Sequence, residues 1–202
     1  MSNDLLRRKQ SIFDRWAPSY DWLFPSIVYQ AIHQRLLEFV RLPAQASTLD
    51  LGCGTGRLLN RLADQFPDLT GTGLDLSPEM LRQAELKNRH PSRLSFVQGS
   101  TEALPFHEDE FDAVFSTFSF LHYPNPEVVF SEVSRVLRPA GHFYLVDPLL
   151  HWQPGIQTLP MAAGAIQFYG FAAREQLGKQ AGLVCQGHHY LLGPVVLTLY
   201  GR

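Results

Sequence analysis

The sequence predicts an α/β protein built on a seven-stranded, doubly wound, mostly parallel sheet that ends in an antiparallel strand pair. Three observations predict it. The stretch 48–58, TLDLGCGTGRL, reads as a buried strand, a glycine turn and the start of a helix. Apolar strand patterns then alternate with helical patterns as far as residue 181. Two further strand patterns, 183–190 and 195–200, follow one another across a short turn at Gly193-Pro194, which a plain dinucleotide-binding sheet does not have.

In chain order, the first stretch is rich in rings: Phe13, Trp16, Tyr20, Trp22, Phe24 and Tyr29. Val28, Ile32, Leu36 and Val40 recur at helical spacing, so 26–40 is expected to be a helix with one buried face. The rings either pack that helix onto the sheet or form a lid over a ligand. After the glycine turn, Leu58, Leu62 and Phe66 mark the first crossover helix, and 70–74 a second strand. Ser77 is a good N-cap and Pro78 suits the first helical position, so a second helix starts there. Residues 94–97 and 111–116 are the third and fourth strands, the latter apolar enough to be buried on both faces. Asn125 and Pro126 are expected to cap a helix with Val129, Phe130, Val133 and Val136 inward. The fifth strand is expected at 142–147. Residues 149–171 read as an irregular apolar insertion on the substrate side or as ordinary packing, and a last helix runs to Gly182.

The organisation expected is one domain over 1–202, with 1–40 as an N-terminal helical lid. A net charge of −2 gives no electrostatic case for a nucleic-acid partner. The two cysteines, Cys53 and Cys185, are far apart in sequence, which argues against a disulfide and for a reducing compartment. No signal peptide and no run long enough to span a bilayer are read, so a cytoplasmic protein is expected. Composition and patterning leave the oligomeric state open.

Candidate site residues cluster at the carboxyl ends of the predicted strands. The glycines Gly52, Gly54 and Gly56 come as G-x-G-x-G, a spacing that lets a ligand approach the backbone but need not seat a pyrophosphate. Asp50 stands just before them, placed to hold an ammonium group or to fix the loop. Asp75, at the tip of the second strand, can accept two hydrogen bonds from a ribose diol, or can simply be a helix-entry acid favoured by the dipole. The Ser100 hydroxyl can read a base edge. His122, after the fourth strand, is either a base or orienting group, or a structural histidine.

Five blocks carry a family resemblance: TLDLGCGTGRL (48–58), GTGLDLSPEML (71–81), VQGSTEALPF (97–106), FDAVFSTFSFLHYPNP (111–126) and EVSRVLRPAGHFYLVDP (132–148). In order and spacing the chain resembles class I S-adenosylmethionine-dependent methyltransferases of the small-molecule, ubiquinone/menaquinone-methyltransferase-like type. FDRWAPSYD (13–21) is similar to the segment that closes over the cofactor in such enzymes. The resemblance implies S-adenosylmethionine as cofactor and S-adenosylhomocysteine as product. It implies that Gly52, Cys53, Gly54 and Gly56 pass the methionyl part, with Asp50 beneath them. Asp75 would bind the ribose hydroxyls, Leu76 and Met80 would lie against adenine, and Ser100, Thr101 and Glu102 would border it. Thr117 and Phe118 would line the floor near the sulfonium, and Tyr20 would reach over it. Many relatives carry Asp where this chain has Ser100, which weakens adenine recognition through that side chain.

The acceptor implied is a small, partly apolar or aromatic molecule, surrounded by Trp16, Phe120, Tyr123, Trp152 and Phe168, with His122 at the pocket rim. Methyl transfer is an in-line displacement at an already activated carbon, so alignment in a dry pocket can supply on the order of 7–11 kcal/mol at best. Neither a catalytic triad nor a metal is expected. A nicotinamide oxidoreductase would call for G-x-G-x-x-G. A methyltransferase of exocyclic base amines would call for an Asn- or Asp-Pro-Pro-aromatic run where 116–121 stands. A non-enzymatic cofactor-binding protein on the same fold remains the alternative.

Overall fold

The computed structural model describes residues 25–149, 155–160 and 166–202. Its main sheet has seven strands in the order β3-β2-β1-β4-β5-β9-β8. These are β1 (Ser47–Leu51), β2 (Thr70–Asp75), β3 (Leu94–Gln98), β4 (Phe111–Thr117), β5 (Leu137–Pro148), β8 (Val184–Leu192) and β9 (Val195–Gly201). The first five are parallel neighbours, and β9 pairs antiparallel with both β5 and β8. The helices are α1 (Pro25–Leu37), α2 (Arg57–Gln65), α3 (Pro78–Leu86), α4 (Pro126–Val136) and α5 (Phe171–Gln180).

Each face of the sheet buries one apolar layer. Ile32 and Leu36 of α1 and Leu58, Leu59 and Leu62 of α2 pack on Phe115, Tyr144, Val146 and Leu197. On the opposite face, Val129, Phe130 and Val133 of α4 and Leu177 of α5 meet Val114, Phe143, Leu145 and Tyr200. This is why β4 carries no alternation: its successive side chains enter opposite cores, and four consecutive residues, 113–116, are buried. α1 ends at Leu37, short of the expected Val40, although Val40 is itself buried.

Three expectations need correcting. The fifth strand begins at Leu137, five residues before the expected start, because Leu137 pairs with Phe111 and Arg138 reaches the Asp112 carboxylate at 2.7 Å. Within the expected irregular segment, β6 (Ile156–Leu159) and β7 (Ile166–Tyr169) form a separate two-stranded antiparallel sheet. Its strands are too short for their sequences to signal it, and tertiary packing holds it: Tyr169 is buried with its ring 4.9 Å from that of Phe120. Asn125 does not cap α4 with its side chain; its amide nitrogen donates to Glu102 Oε2 at 3.0 Å. Ser77 caps α3 as expected, accepting from the Met80 N–H at 3.1 Å.

Two ionisable side chains, Arg174 and Asp147, are buried inside the sheet–helix layer. Arg174 of α5 is 1% exposed and donates to the backbone carbonyls of Tyr169, Val196 and Asp147 and to Thr198 Oγ1. The Asp147 carboxyl beside it is 3% exposed, and burial pushes its pKa up to about 7 although the Arg174 charge pulls it back. A carboxyl raised in the folded state from 3.8 keeps its proton there while the unfolded chain has lost it. It therefore stabilises the fold at low pH, and that contribution is lost as pH rises to about 7. Asp147→Asn removes the titration. Urea denaturation at pH 4.5 and 7.5 should show the wild type losing stability relative to the variant, at a slope on the order of 1.4 kcal/mol per pH unit.

Candidate functional site

The strand order reverses between β1 and β4, and the loops leaving the two strands part there, opening a crevice beyond their carboxyl ends. An open cleft of about 840 Å³ occupies it. On one side stand Gly52 and Gly54 of the glycine loop, and at the tip of β2 stand Asp75, Leu76 and, from α3, Met80. Ser100, Thr101 and Glu102 face them from the loop after β3, and Thr117, Phe118, His122 and Tyr123 form the end beyond β4.

Backbone hydrogen bonds hold the glycine loop against β2. Gly52 and Cys53 donate their N–H groups to Leu74 O at 2.8 and 3.1 Å. Gly54 donates to Asp75 Oδ2 and Ser77 to Asp75 Oδ1, both at 2.9 Å. One carboxylate thus joins the loop to the start of α3. The loop needs glycine for two separate reasons. Gly52 has φ +66°, and a Cβ there would stand 2.6 Å from the Ser119 Cβ. Gly54 has φ +53°, and a Cβ there would meet nothing within 4 Å, so the backbone borders open space on its Cα side while its N–H is held by Asp75. Gly56, also at positive φ, lines neither this cleft nor its neighbour. It precedes α2, and Phe96 packs at the spot a Cβ would fill.

Asp50 lies beneath the loop, 1% exposed, and its Oδ1 has no hydrogen-bond partner among the described residues. Burial, and then the Asp75 charge, hold its carboxyl well above the usual range. Asp50 and Cys53 border a second cavity, behind the glycine loop, together with Tyr29, His33, Arg57 and Thr117. This cavity shares Gly52, Gly54, Thr117 and Phe118 with the main cleft. His33 there is pushed down to about 3 by burial and by the Arg61 and Arg57 charges, so its Nδ1 is an acceptor for the Arg61 guanidinium at 2.7 Å.

Beyond β4 the backbone is bent sharply. Phe118 has φ +56°, an uncommon conformation for a bulky residue, and the Tyr29 ring meets it edge-on at 4.6 Å. Ser119 follows and holds the turn: its Oγ donates to Leu51 O at 2.8 Å and accepts from the Tyr123 hydroxyl at 3.0 Å. Burial pushes the Tyr123 phenol well above its ordinary pKa, so it stays protonated as that donor. His122 ends the single helical turn Phe120–His122 and is half-buried at the cleft.

On the β3 side, the Ser100 hydroxyl already accepts from the Glu102 N–H at 3.2 Å. Glu102 accepts from Asn125 through Oε2, while its buried Oε1 has no partner among the described residues.

The cleft thus gathers Gly52, Gly54, Asp75, Leu76, Met80, Ser100, Thr101, Glu102, Thr117, Phe118, His122 and Tyr123. Phe120 is placed elsewhere: it is 1% exposed, with its ring against Phe130 and Tyr169, because the helical turn directs it into the core. Phe168 sits on β7 and borders neither cavity. Trp16, Tyr20 and Trp152 lie outside the described residues. Ser119 is the site residue that sequence reasoning passed over. Its only signal was a serine beside a strand end, and its role depends on Leu51 and Tyr123 arriving from elsewhere. Tyr29 and His33 were legible as helix residues, but their place behind the glycine loop was not.

Residues 49–145 match the methyltransferase-domain family model. The chain is 35% identical over 149 residues to an uncharacterised methyltransferase of Synechocystis, covering 68% of each. It is 32% identical over 183 residues to a ubiquinone/menaquinone biosynthesis C-methyltransferase of Syntrophotalea carbinolica, covering 89% of this chain and 73% of that one. Of several other curated relatives it spans only 33–43% of the length. In fold it is similar to a chain of the Haloferax volcanii complex between the Trm112 methyltransferase activator and a putative methyltransferase. That match has a TM-score of 0.78 at 23% identity, over 94% of this chain and 96% of that one. With the sheet order, the glycine loop and the acidic tip of β2 in agreement, the chain belongs to the class I S-adenosylmethionine-dependent methyltransferases.

Proposed function

We propose that this protein binds S-adenosylmethionine in the cleft at the β1/β4 switch point and transfers its methyl group to a small, partly apolar or aromatic acceptor. The observation that carries the proposal is the pair of carboxylates, Asp75 and Glu102, that line the one cleft. A carboxylate offers about four lone-pair sites, so Asp75 can keep its two backbone donors and accept a ribose diol as well. The buried Glu102 Oε1, which has no partner among the described residues, is an acceptor awaiting an N–H, which the adenine amino group would provide. It supplies what Ser100, already engaged with the Glu102 N–H, supplies only weakly. Leu76 and Met80 give the adenine an apolar contact. Gly54 lets the methionyl chain run against bare backbone, and Asp50 beneath the loop suits its ammonium group.

Bound S-adenosylmethionine supplies a methyl carbon activated by positive sulfur. The protein's part is to align and to exclude water. Thr117 and Phe118 form the floor, where the left-handed backbone of Phe118 turns the chain past the β4 tip. Tyr123, held by Ser119, and His122 border the end of the cleft where the acceptor would enter. For a phenol or similar acid, His122 takes the proton as the methyl arrives, a step worth about 10²–10⁴-fold.

Calorimetry should show S-adenosylmethionine or S-adenosylhomocysteine binding and no NAD binding. Binding of NAD alone would refute the proposal. Asp75→Asn should raise the cofactor Kd by roughly tenfold or more, since an amide N–H then faces the diol's donors. Glu102→Leu should raise it by up to about tenfold while the glycine loop is untouched. With labelled cofactor and a panel of small phenols, quinols and carboxylates, His122→Gln should lower kcat by about 10²-fold or more and leave cofactor Kd unchanged. An unaltered kcat would return His122 to a structural role.

A further inference from the structure

At the far edge of the sheet, three potential metal ligands from two elements converge: the Glu175 carboxylate of α5 and the Cys185 thiol and His188 imidazole of β8. Their ligand atoms all lie within 4.8 Å of one another. His188 Nε2 is 3.1 Å from Glu175 Oε1 and 3.8 Å from Cys185 Sγ. In a tetrahedral zinc site, Zn–N and Zn–O bonds near 2.0–2.1 Å and a Zn–S bond near 2.3 Å put the nitrogen about 3.3 Å from the oxygen and about 3.6 Å from the sulfur. Both observed separations fall within a few tenths of an ångström of those values.

This convergence is built by a backbone irregularity. Residues three apart on a regular strand point to opposite faces. Here Cys185 pairs with Tyr200 and His188 with Thr198, two residues apart on β9, so Gln186 is an extra residue in β8. The bulge turns both side chains to the face on which α5 packs. Gly187 within it has φ +150°, a conformation open to glycine. Helix α5 comes close because Gly178 has no side chain: a Cβ there would stand 2.6 Å from the Tyr200 ring. Glu175, one turn earlier, is thereby brought over His188.

The imidazole is also oriented from behind. His188 Nδ1 is 3.0 Å from Thr198 Oγ1, which itself accepts from the buried Arg174 at 3.1 Å. With the ring proton on Nδ1 and donated to Thr198, the Nε2 lone pair points at Glu175 and Cys185. Metal-ligating histidines are held by this type of outer hydrogen bond. The Phe171 ring lies over the imidazole at 4.3 Å and 31° and limits its rotation. The His188 side chain is 16% exposed and that of Glu175 56%, so the cluster is open to solvent on the helix side, where a water can complete four-coordination.

We propose that Glu175, Cys185 and His188 form a zinc site that ties α5 to the edge strand β8. The donor set, one thiolate, one imidazole nitrogen and one carboxylate oxygen, matches the ligands that zinc takes. On binding, the Cys185 thiol gives up its proton to solvent, and the metal replaces the direct contact between His188 and Glu175. The site is remote in sequence from the cleft residues and stands whether or not the methyl-transfer reading does.

The test uses the full chain, stripped of metal by a chelator and titrated with zinc alone. The expected result is one saturable zinc per chain, and a melting temperature that rises with zinc and falls back with chelator. Cobalt in place of zinc should show a thiolate-to-metal charge-transfer band together with tetrahedral d–d bands. Cys185→Ser should remove the charge-transfer band, and Cys185→Ser and His188→Gln should each weaken binding by about a hundredfold or more. Glu175→Gln, on an exposed helix position that leaves folding intact, should weaken binding by roughly tenfold and keeps the test valid if the other variants fold poorly. Absence of saturable zinc binding, a cobalt spectrum without the thiolate band, or zinc binding unchanged in Glu175→Gln would overturn the proposal.

Discussion

The rest of the cleft depends on the Asp75 carboxylate. One oxygen holds the Gly54 N–H and the other holds the Ser77 N–H, so a single side chain at the tip of β2 fixes both the glycine loop and the entry to α3. Charge-assisted bonds of this kind are about twice as strong as neutral ones, and here both donors are backbone groups at chain turns that would otherwise need water. The loop is then close enough to β2 for Gly52 and Cys53 to share the Leu74 carbonyl. A residue proposed to bind the cofactor is therefore already part of the scaffold, and the cleft wall is ordered around it before any ligand is considered.

The opposite wall obeys a steric constraint. Ser119 occupies the space above Gly52, bonding to Leu51 O, Ser116 Oγ and the Tyr123 hydroxyl. Any side chain at position 52 would displace it. Gly52, which lines the cleft, thus also admits the β4 turn, and the strained Phe118 follows where that turn leaves the strand. Backbone strain of about 1–3 kcal/mol is held in place by this network of the buried Ser116 with Ser119 and Tyr123. The second cavity, behind the loop, is lined by the same two glycines, Gly52 and Gly54.

Much of this was legible in the sequence because it rests on local rules. The glycine positions, Asp75 at a strand tip, the Ser77-Pro78 helix start and the uninterrupted apolar run of β4 each announce themselves within a few residues. Other features were misread where distant partners decide. Phe120 reads as a pocket ring until the helical turn Phe120–His122 points it at Phe130 and Tyr169. Asn125 reads as a cap until Glu102 claims its amide. β6 and β7 are four residues each, too short to announce themselves, and exist through their mutual pairing and the burial of Tyr169.

The sequence by itself determined the sheet order's class, the crossover pattern and the location of the cleft, because periodicity and glycine spacing are properties of neighbouring residues. Only the tertiary structure decided which side chains have acceptors or donors left for a ligand. Ser100 is engaged by its own loop whereas Glu102 Oε1 is buried with no partner among the described residues, its other oxygen being held by Asn125. Likewise the bulge at Gln186, visible in the β8–β9 register, sets Cys185 and His188 on one face. A one-residue insertion reverses the facing of everything beyond it, and strand periodicity alone cannot announce where it occurs.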